Sequence, residues 1–451
     1  MDLTGRRVVV VGAGKSGIAA AKLCAQLGAS VVLNDQRPEA ELSVGSLPSS
    51  VRVESGGHPE SIFEAADLIV LSPGVPPLAP VIDAQLRGVQ VTGEIELASH
   101  HVRAPILAIT GTNGKSTVTA LTGALVAKNG RPTFVGGNLG TPLAEAIGSA
   151  AVGEDGQVVI ELSSYQLETC ETLRPRGAAL LNLTPDHLDR YASMQDYGEA
   201  KLRIAQRMGE GDVLVVNADD EFFASAAAQR YPRLTRLEFS MRRRDVAGSV
   251  ESGDLVLRVP GHSEERYPIG ELQIVGRHNL ANALAALLLV RGTSLVTYEQ
   301  ARAGLHEFVA LPHRMQLVGQ RRGVRFFDDS KATNVDSVVA GIDGFPTPFV
   351  LIAGGRDKGG SYVPLVEALL RNRCRAVLLI GEATQLIEAA IAGRVPTERC
   401  TSLEEAVARG AALSSTGEAV VLSPACSSFD MFKNYGHRGA VFRAAVEALP
   451  A

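Results

Sequence analysis

The sequence predicts a three-domain α/β chain built on parallel sheets, and three observations carry that prediction. The chain has 451 residues, about three times a typical domain. Short apolar runs alternate with helix-favouring stretches from end to end, the rhythm of repeated β–α–β units. Glycine-rich or polar clusters follow those apolar runs again and again, as they do where ligands meet the carboxyl edge of an open sheet. An apolar fraction of 45% and 46 glycines suit such a core.

Charge and composition narrow the function classes. A net charge of −5 offers no field for a nucleic-acid partner, and the run Arg242-Arg243-Arg244 reads as a solvated loop. The five cysteines (Cys24, Cys170, Cys374, Cys400, Cys426) are scattered and form no C-x-x-C, which argues for a reducing compartment and against a zinc or disulfide framework. Met1 to Arg7 runs into a short strand rather than a signal peptide, and stretches such as Leu284 to Val290 are too short to insert in a membrane. The expectation is a cytoplasmic protein, and a monomer.

The first unit, residues 1–93, opens with strand Arg7 to Val11, the turn Gly12-Ala13-Gly14-Lys15-Ser16-Gly17 and an Ala/Leu-rich helix to Leu27. This is G-x-G-x-x-G between a strand and a helix, hence a Rossmann-like unit. Strand Val31 to Leu33 ends in Asn34-Asp35, where a dinucleotide domain keeps an acid for a ribose hydroxyl. Alone, the motif says only that a diphosphate or a close-packed turn sits there. Strands Val51 to Glu54 and Leu68 to Leu71 follow. The second ends in Ser72-Pro73-Gly74-Val75-Pro76-Pro77, either a ligand rim or a proline-stiffened connection. Val89 to Thr92 closes the unit.

The second unit, residues 94–310, is organised around Ile106 to Thr117. An apolar strand runs into Gly111-Thr112-Asn113-Gly114-Lys115-Ser116-Thr117 and then a helix to Asn129. The spacing is shorter than G-x-x-x-x-G-K-[ST], but strand, glycine loop and helix start form a P-loop-type phosphate cradle. Lys115 supplies a point charge and Ser116 a hydroxyl for Mg²⁺. Gly136 to Gly140 reads as a glycine turn around Asn138. Strand Val158 to Leu162 ends in Glu161-Leu162-Ser163-Ser164, an acid placed to reach a metal. Strand Ala178 to Leu183 leads into Thr184-Pro185-Asp186-His187-Leu188-Asp189. A helix beginning near Met194 carries Lys201, and Val213 to Asn217 is another core strand. Residues 233–275 are β-rich and predict a small peripheral β-sheet. Gly276-Arg277-His278-Asn279 starts an apolar helix. His187 is equally a loop histidine or a metal ligand. Lys201 is either one face of an amphipathic helix or, carbamylated by CO₂, an oxygen ligand for a hard cation.

The third unit, residues 311–451, starts at Leu311-Pro312-His313-Arg314 and is a second Rossmann-like unit. Strand Val324 to Phe327 ends in Asp328-Asp329-Ser330-Lys331-Ala332-Thr333-Asn334. Strand Phe349 to Ala353 ends in Gly354-Gly355-Arg356-Asp357-Lys358-Gly359. Strand Ala376 to Ile380 follows, and strand Ala419 to Leu422 ends in a polar segment through Ser428-Phe429 to Tyr435. Asp329, Lys331, Thr333 and Lys358 are either a ligand cluster or a helix cap with surface lysines. Cys426 has no His–Asp partner arrangement and reads as a buried structural cysteine.

Taken together, these stretches resemble the Mur ligase family, over nearly the whole chain and in the family's order, most closely its D-glutamate-adding branch. The residues that carry the resemblance are Gly111 to Thr117, Gly137-Asn138, Glu161 to Ser164, Asp186 to Asp189, Lys201, His278-Asn279, Leu311 to Arg314, Asp329 to Asn334, Gly354 to Gly359 and Leu422 to Tyr435. The resemblance implies that the first domain holds the uridine diphosphate sugar. Gly14, Lys15, Ser16 and Gly17 would lie by the diphosphate and Asp35 and Arg37 by the uridine. Ser72, Pro73 and Gly74 would form the rim, with Asn138 and Ser163 toward the sugar-peptide end. It implies ATP on Gly111 to Thr117, with Asn279 near the adenine and Arg314, Asp329 and Lys358 reaching the nucleotide as the third domain closes. Two Mg²⁺ ions are implied, one on Ser116 and Glu161 and one on His187 and carbamylated Lys201. Lys331, Thr333, Ser428 and Phe429 would bind D-glutamate. The implied reaction phosphorylates the L-alanyl carboxylate of UDP-N-acetylmuramoyl-L-alanine and passes the acyl group to D-glutamate. A sister ligase for another amino acid, a folylpolyglutamate-type ligase, a nicotinamide-dependent oxidoreductase built on Gly12 to Gly17, and a non-catalytic nucleotide-binding regulator are the alternatives.

Overall fold

The computed structural model describes residues 1–186, 190–273, 276–309, 311–357 and 359–450. His187 and Lys358, both singled out above, lie outside the described residues. Three sheets follow one another along the chain. Contacts group the chain into two compact units, Met1–Gly270 with Asn282–His306, and Glu271–Ala281 with Glu307–Ala451. The first unit holds two sheets and the second unit holds one.

The first sheet comprises β1 (Arg7–Val11), β2 (Ser30–Asp35), β3 (Val51–Ser55), β4 (Leu68–Leu71) and β5 (Gln90–Gly93) in the order β3-β2-β1-β4-β5, all parallel. The order reverses between β1 and β4. The turn after β1 and the Ser72–Gly74 loop after β4 therefore share one crevice, where open α/β sheets bind ligands. Four of the five β1 residues are buried, as a parallel strand covered on both faces requires.

The second sheet runs through β6 (Ile106–Thr110), β7 (Thr133–Gly137), β8 (Gln157–Glu161), β9 (Gly177–Leu180), β10 (Val213–Asn217), β11 (Thr235–Phe239), β12 (Gly248–Glu251), β13 (Asp254–Leu257) and β14 (Glu265–Pro268). Their order is β14-β13-β12-β11-β10-β9-β6-β8-β7. The β-rich segment divides. β11 is an ordinary parallel neighbour of β10, while β12 to β14 form an antiparallel meander joined to β11 through the single pair Phe239–Gly248. β6 and β8 are fully buried, which is why they read as unbroken apolar runs. β7 was not legible, because its Gly136-Gly137 end resembles a turn.

The third sheet, in the second unit, comprises β15 (Gln316–Arg321), β16 (Val324–Asp328), β17 (Phe349–Gly354), β18 (Cys374–Ile380), β19 (Thr397–Arg399) and β20 (Ala419–Leu422), ordered β15-β16-β20-β17-β18-β19. Only the β15–β16 hairpin is antiparallel. The loops after β16, β20 and β17 thus emerge side by side at one edge. All five cysteines are free, and the Cys426 thiol, buried against the Tyr362 hydroxyl at 3.2 Å, is pushed up to about 11. Among the described residues no helix is long and apolar enough to cross a membrane.

Candidate active site

The loop after β6 is shaped by glycine where nothing larger fits. Gly111 has φ +153° and Gly114 φ +85°. A Cβ on Gly111 would stand 2.9 Å from the Leu181 Cβ, and one on Gly114 2.4 Å from Oδ1 of Asn282. Helix Lys115–Ala127 starts directly after Gly114 with no side-chain cap, the arrangement that receives a phosphate. Asn182, at the end of the segment that follows β9, braces this loop. Its carbonyl accepts from Thr112 N–H at 2.8 Å, its Oδ1 from Asn113 N–H at 2.7 Å, and its Nδ2 donates to the Asn113 carbonyl at 3.0 Å. Asn279 and Asn282 share one helix face by their spacing in sequence, and Asn282 is the one that meets Gly114. Asn182 was passed over, though a polar residue directly after a buried strand was the available signal.

Two amines converge on one carbonyl. Lys115 Nζ donates to the Gly111 and Thr112 carbonyls at 2.9 and 2.7 Å, and Lys201 Nζ donates to the Gly111 carbonyl at 2.8 Å. Lys201 is 1% exposed, with its amine 4.4 Å from the centre of the Tyr197 ring. Helix Met194–Leu202 turns this side chain inward, so the helix face that carries Lys201 is the buried one. Burial first, and the nearby Lys115 charge second, hold its pKa well below that of an ordinary lysine. A neutral buried amine is the form that reacts with CO₂.

Glu161 supplies the other half of the chemistry. It ends β8 and is 2% exposed; Oε1 accepts from Asn138 Nδ2 at 2.6 Å, and Oε2 is buried with no hydrogen-bond partner. A buried carboxylate oxygen with nothing to bind fits a cation ligand. Ser116 is buried on the first turn of the loop's helix and adds a hydroxyl. Among the described residues no set of three or more His, Cys, Asp or Glu is placed to hold a metal; Glu161 and Ser116 offer a carboxylate and a hydroxyl, the oxygen donors a hard cation takes. Asn138, expected toward the sugar-peptide end, has its side-chain amide on Glu161. Ser163 caps helix Ser164–Glu168 in a capping box with Gln166.

At the first sheet, Gly17 lets the helix Lys15–Gln26 close on the turn: a Cβ there would lie 1.7 Å from the Gly12 carbonyl oxygen. Ser72 Oγ donates to that same carbonyl at 2.8 Å, joining the two halves of the crevice. Gly14 and Lys15 are exposed and Ser16 half-buried. Asp35 accepts from Ala13 N–H at 2.7 Å and from the Arg37 guanidinium through both oxygens, and that pairing holds its carboxyl well below the usual range. The Ser72–Gly74 rim shares a cleft with Tyr165 and Arg190 of the second sheet's domain. Arg190 donates to Glu168 at 2.6 Å and to the Val75 carbonyl at 3.3 Å, and stacks 4.7 Å over Tyr165. Neither Tyr165 nor Arg190 was a sequence candidate.

In the second unit, Asp329 is buried; Oδ2 accepts from Ser423 Oγ at 2.6 Å and Oδ1 from Met315 N–H at 3.2 Å. Burial pushes its pKa up to about 7. His313 pairs with Asp328 at 2.6 Å, ahead of half-buried Arg314. Lys331 Nζ lies 3.9 Å above the centre of the Tyr435 ring, so Tyr435 joins the cluster that sequence reading drew around Lys331, Thr333 and Ser428. Ser428 is buried and Phe429 is 64% exposed. Asn279 is buried on the first turn of helix Arg277–Gly292, beside His278, whose pKa burial pulls down to about 4.

Comparison with known proteins gives the same order of parts. Residues 6–93 match the Mur ligase MurD-like N-terminal domain, 109–290 the Mur ligase middle domain and 313–426 the Mur ligase glutamate ligase domain. The chain is 47% identical to the UDP-N-acetylmuramoylalanine–D-glutamate ligase of Anaeromyxobacter dehalogenans, over 98% of this chain and 97% of that protein. It is 45% identical to that of Myxococcus xanthus and 44% identical to that of Geotalea daltonii, covering 100% of this chain in both, with 100% and 99% of those proteins. Its fold is similar to the solved structures of MurC from Thermotoga maritima (TM-score 0.63, 17% identity, 98% of this chain and 99% of that one) and MurF from Acinetobacter baumannii (TM-score 0.63, 16% identity, 98% and 91%). Phosphate loop, domain order and full-length similarity coincide in one chain, and this chain belongs to the Mur ligase family.

Proposed function

We propose that this chain is the ATP-dependent ligase that joins the L-alanyl carboxylate of UDP-N-acetylmuramoyl-L-alanine to the amine of D-glutamate, releasing ADP and phosphate, in cytoplasmic peptidoglycan precursor synthesis. The observation that carries the reading is the glycine loop that ends at the uncapped N-terminus of helix Lys115–Ala127, with the Lys115 amine lying on the loop's own carbonyls. That is a site built for a polyanion. The similarity to D-glutamate ligases along the full chain supports the choice of acyl donor and amino acid. Enzymes of this family depend on ATP and Mg²⁺.

The chemistry follows from the charges. A carboxylate is a poor acyl donor to an amine because oxide is a poor leaving group, so the acid is first phosphorylated to an acyl phosphate. Two anions must meet in that step. Lys115 leaves its loop carbonyls for the outer phosphates and offsets the repulsion. Bound Mg²⁺ supplies further charge neutralisation at the transferring phosphoryl group. Ser116 and Glu161 would hold one ion. Lys201, as a carbamate, would hold a second with His187. The amine of D-glutamate then attacks the acyl phosphate after losing a proton, and the tetrahedral intermediate collapses to amide and phosphate.

The remaining assignments divide by domain. Residues 1–93 would bind the uridine diphosphate sugar through Gly14, Lys15, Ser16, Gly17, Asp35, Arg37 and the Ser72-Pro73-Gly74 rim, with Asn138 and Ser163 beyond it. Residues 94–310 would bind ATP on Gly111, Thr112, Asn113, Gly114, Lys115, Ser116 and Thr117. Residues 311–451 would bind D-glutamate through Lys331, Thr333, Ser428 and Phe429, with Arg314, Asp329 and Lys358 serving the nucleotide together with Asn279. The enzyme would act as a monomer and without membrane insertion. A phosphate-release assay with UDP-N-acetylmuramoyl-L-alanine and ATP, comparing D-glutamate with L-glutamate, L-alanine and a diamino acid, tests the reading. D-glutamate alone should drive release; release with any other amino acid in its place refutes the assignment.

A further inference from the structure

We infer that Arg438 is a positioning residue for the amino-acid substrate: by gripping main-chain carbonyls of two loops, it sets the spacing of the side chains on either side of that substrate. The inference rests on the reading that the third domain binds D-glutamate.

Arg438 lies on helix Tyr435–Glu447 and is the largest fully buried side chain of the molecule's described residues. Its guanidinium reaches both loops. Nη2 donates to the Ser330 carbonyl at 2.9 Å and the Cys426 carbonyl at 3.1 Å, Nη1 to the Ser427 carbonyl at 3.4 Å, and Nε to Ser330 Oγ at 3.0 Å. Ser330 Oγ in turn donates to the Tyr435 carbonyl at 2.8 Å. The held atoms sit one residue before candidate contacts: Ser330 precedes Lys331, and Ser427 precedes Ser428. A third loop is drawn in, because Ser427 and Arg356 exchange backbone hydrogen bonds at 2.9 and 3.0 Å. Gly355 makes room for this, since a Cβ there would meet the Ser427 carbonyl at 2.2 Å and Arg438 Nη1 at 3.2 Å.

Every partner of this guanidinium is a carbonyl or a hydroxyl. Burying a cation without a carboxylate is expensive, and a neutral side chain could staple two loops at lower cost. What only arginine offers is a flat fork of donors that reaches several carbonyls at once in fixed geometry. Asp328 and Asp430 lie near enough to favour its charged form, but they hydrogen-bond elsewhere, Asp328 to His313 and Asp430 to the Glu382 N–H, so the fork is left to the carbonyls. Lysine would keep the charge but lose the fork.

Steady-state phosphate release by the full-length enzyme tests this, with each of the three substrates varied in turn. Arg438→Met should raise the KM for D-glutamate at least tenfold while the KM values for ATP and the UDP-linked substrate stay within twofold. Arg438→Lys should fall between wild type and Arg438→Met, and Ser330→Ala should raise the D-glutamate KM a few-fold. If Arg438→Met does not fold, the two milder variants decide. A folded Arg438→Lys or Ser330→Ala with an unchanged KM for D-glutamate overturns the inference, and so does an equal rise in all three KM values. Should the wild-type enzyme accept a different amino acid, the D-glutamate reading fails, and the same comparison of KM values with the accepted amino acid still decides Arg438.

Discussion

Replacing Glu161 by Gln should have opposite effects on stability with and without Mg²⁺. The carboxylate is 2% exposed, its Oε1 is satisfied by Asn138, and its Oε2 has no partner. An unpaired atom on a buried polar group costs about 1–3 kcal/mol, and more on a charged one. Gln keeps an acceptor for Asn138 and removes the charge, so chelator-stripped Glu161→Gln should be the more stable protein by about 1–2 kcal/mol. For a domain of this size each kcal/mol moves the melting midpoint by about 2–4 °C. Free Mg²⁺ at a hundredfold above its Kd should stabilise wild type by about 2.7 kcal/mol and leave the variant where it was, inverting the order. Loss of a charge at the transferring phosphoryl group should also slow phosphate release on the order of 10²–10³-fold. The assay is thermal unfolding of both proteins in chelator and across a Mg²⁺ titration. Equal Mg²⁺ stabilisation of the two proteins would refute the idea that Glu161 is a metal ligand.

Three further outcomes are expected. Lys201→Ala should lose activity and regain part of it with a short-chain carboxylate, which can supply the oxygens of a carbamate; no rescue at any concentration would count against the modification. Gly17→Ala places a Cβ 1.7 Å from the Gly12 carbonyl oxygen and 2.6 Å from Ser72 Oγ, so binding of the UDP-linked substrate, measured by calorimetry, should weaken at least tenfold while ATP binding on the next domain holds. Burial pushes the Asp329 carboxyl up to about 7 in the folded chain, well above the ordinary aspartate range. The folded state therefore keeps a proton that the unfolded state has lost, and stability should fall as pH rises from about 4 through 7, by up to a few kcal/mol. Asp329→Asn should remove that slope from urea melts taken between pH 5 and 8; a slope identical to wild type would show that another group causes it.

The sequence by itself determined the succession of three α/β units, with their buried parallel strands, and the loops that matter. Buried parallel strands such as β6, β8 and β17 are continuous apolar runs, and a phosphate loop needs glycine and lysine at fixed local spacing, so both signals lie within a dozen neighbouring residues. β7 and β19 were missed for the converse reason: Gly136-Gly137 reads as a turn, and Thr397-Glu398-Arg399 has no apolar residue to mark it. Only the tertiary structure decided which residues face one another. It brought Lys201 inward to the carbonyl of Gly111, ninety residues away in sequence, and Asn182 and Asn282 to the phosphate loop. It set Tyr435 under Lys331 and buried Arg438 among the carbonyls of two loops. The inward turn of a lysine or arginine depends on what the rest of the chain packs around it, and no local periodicity records that.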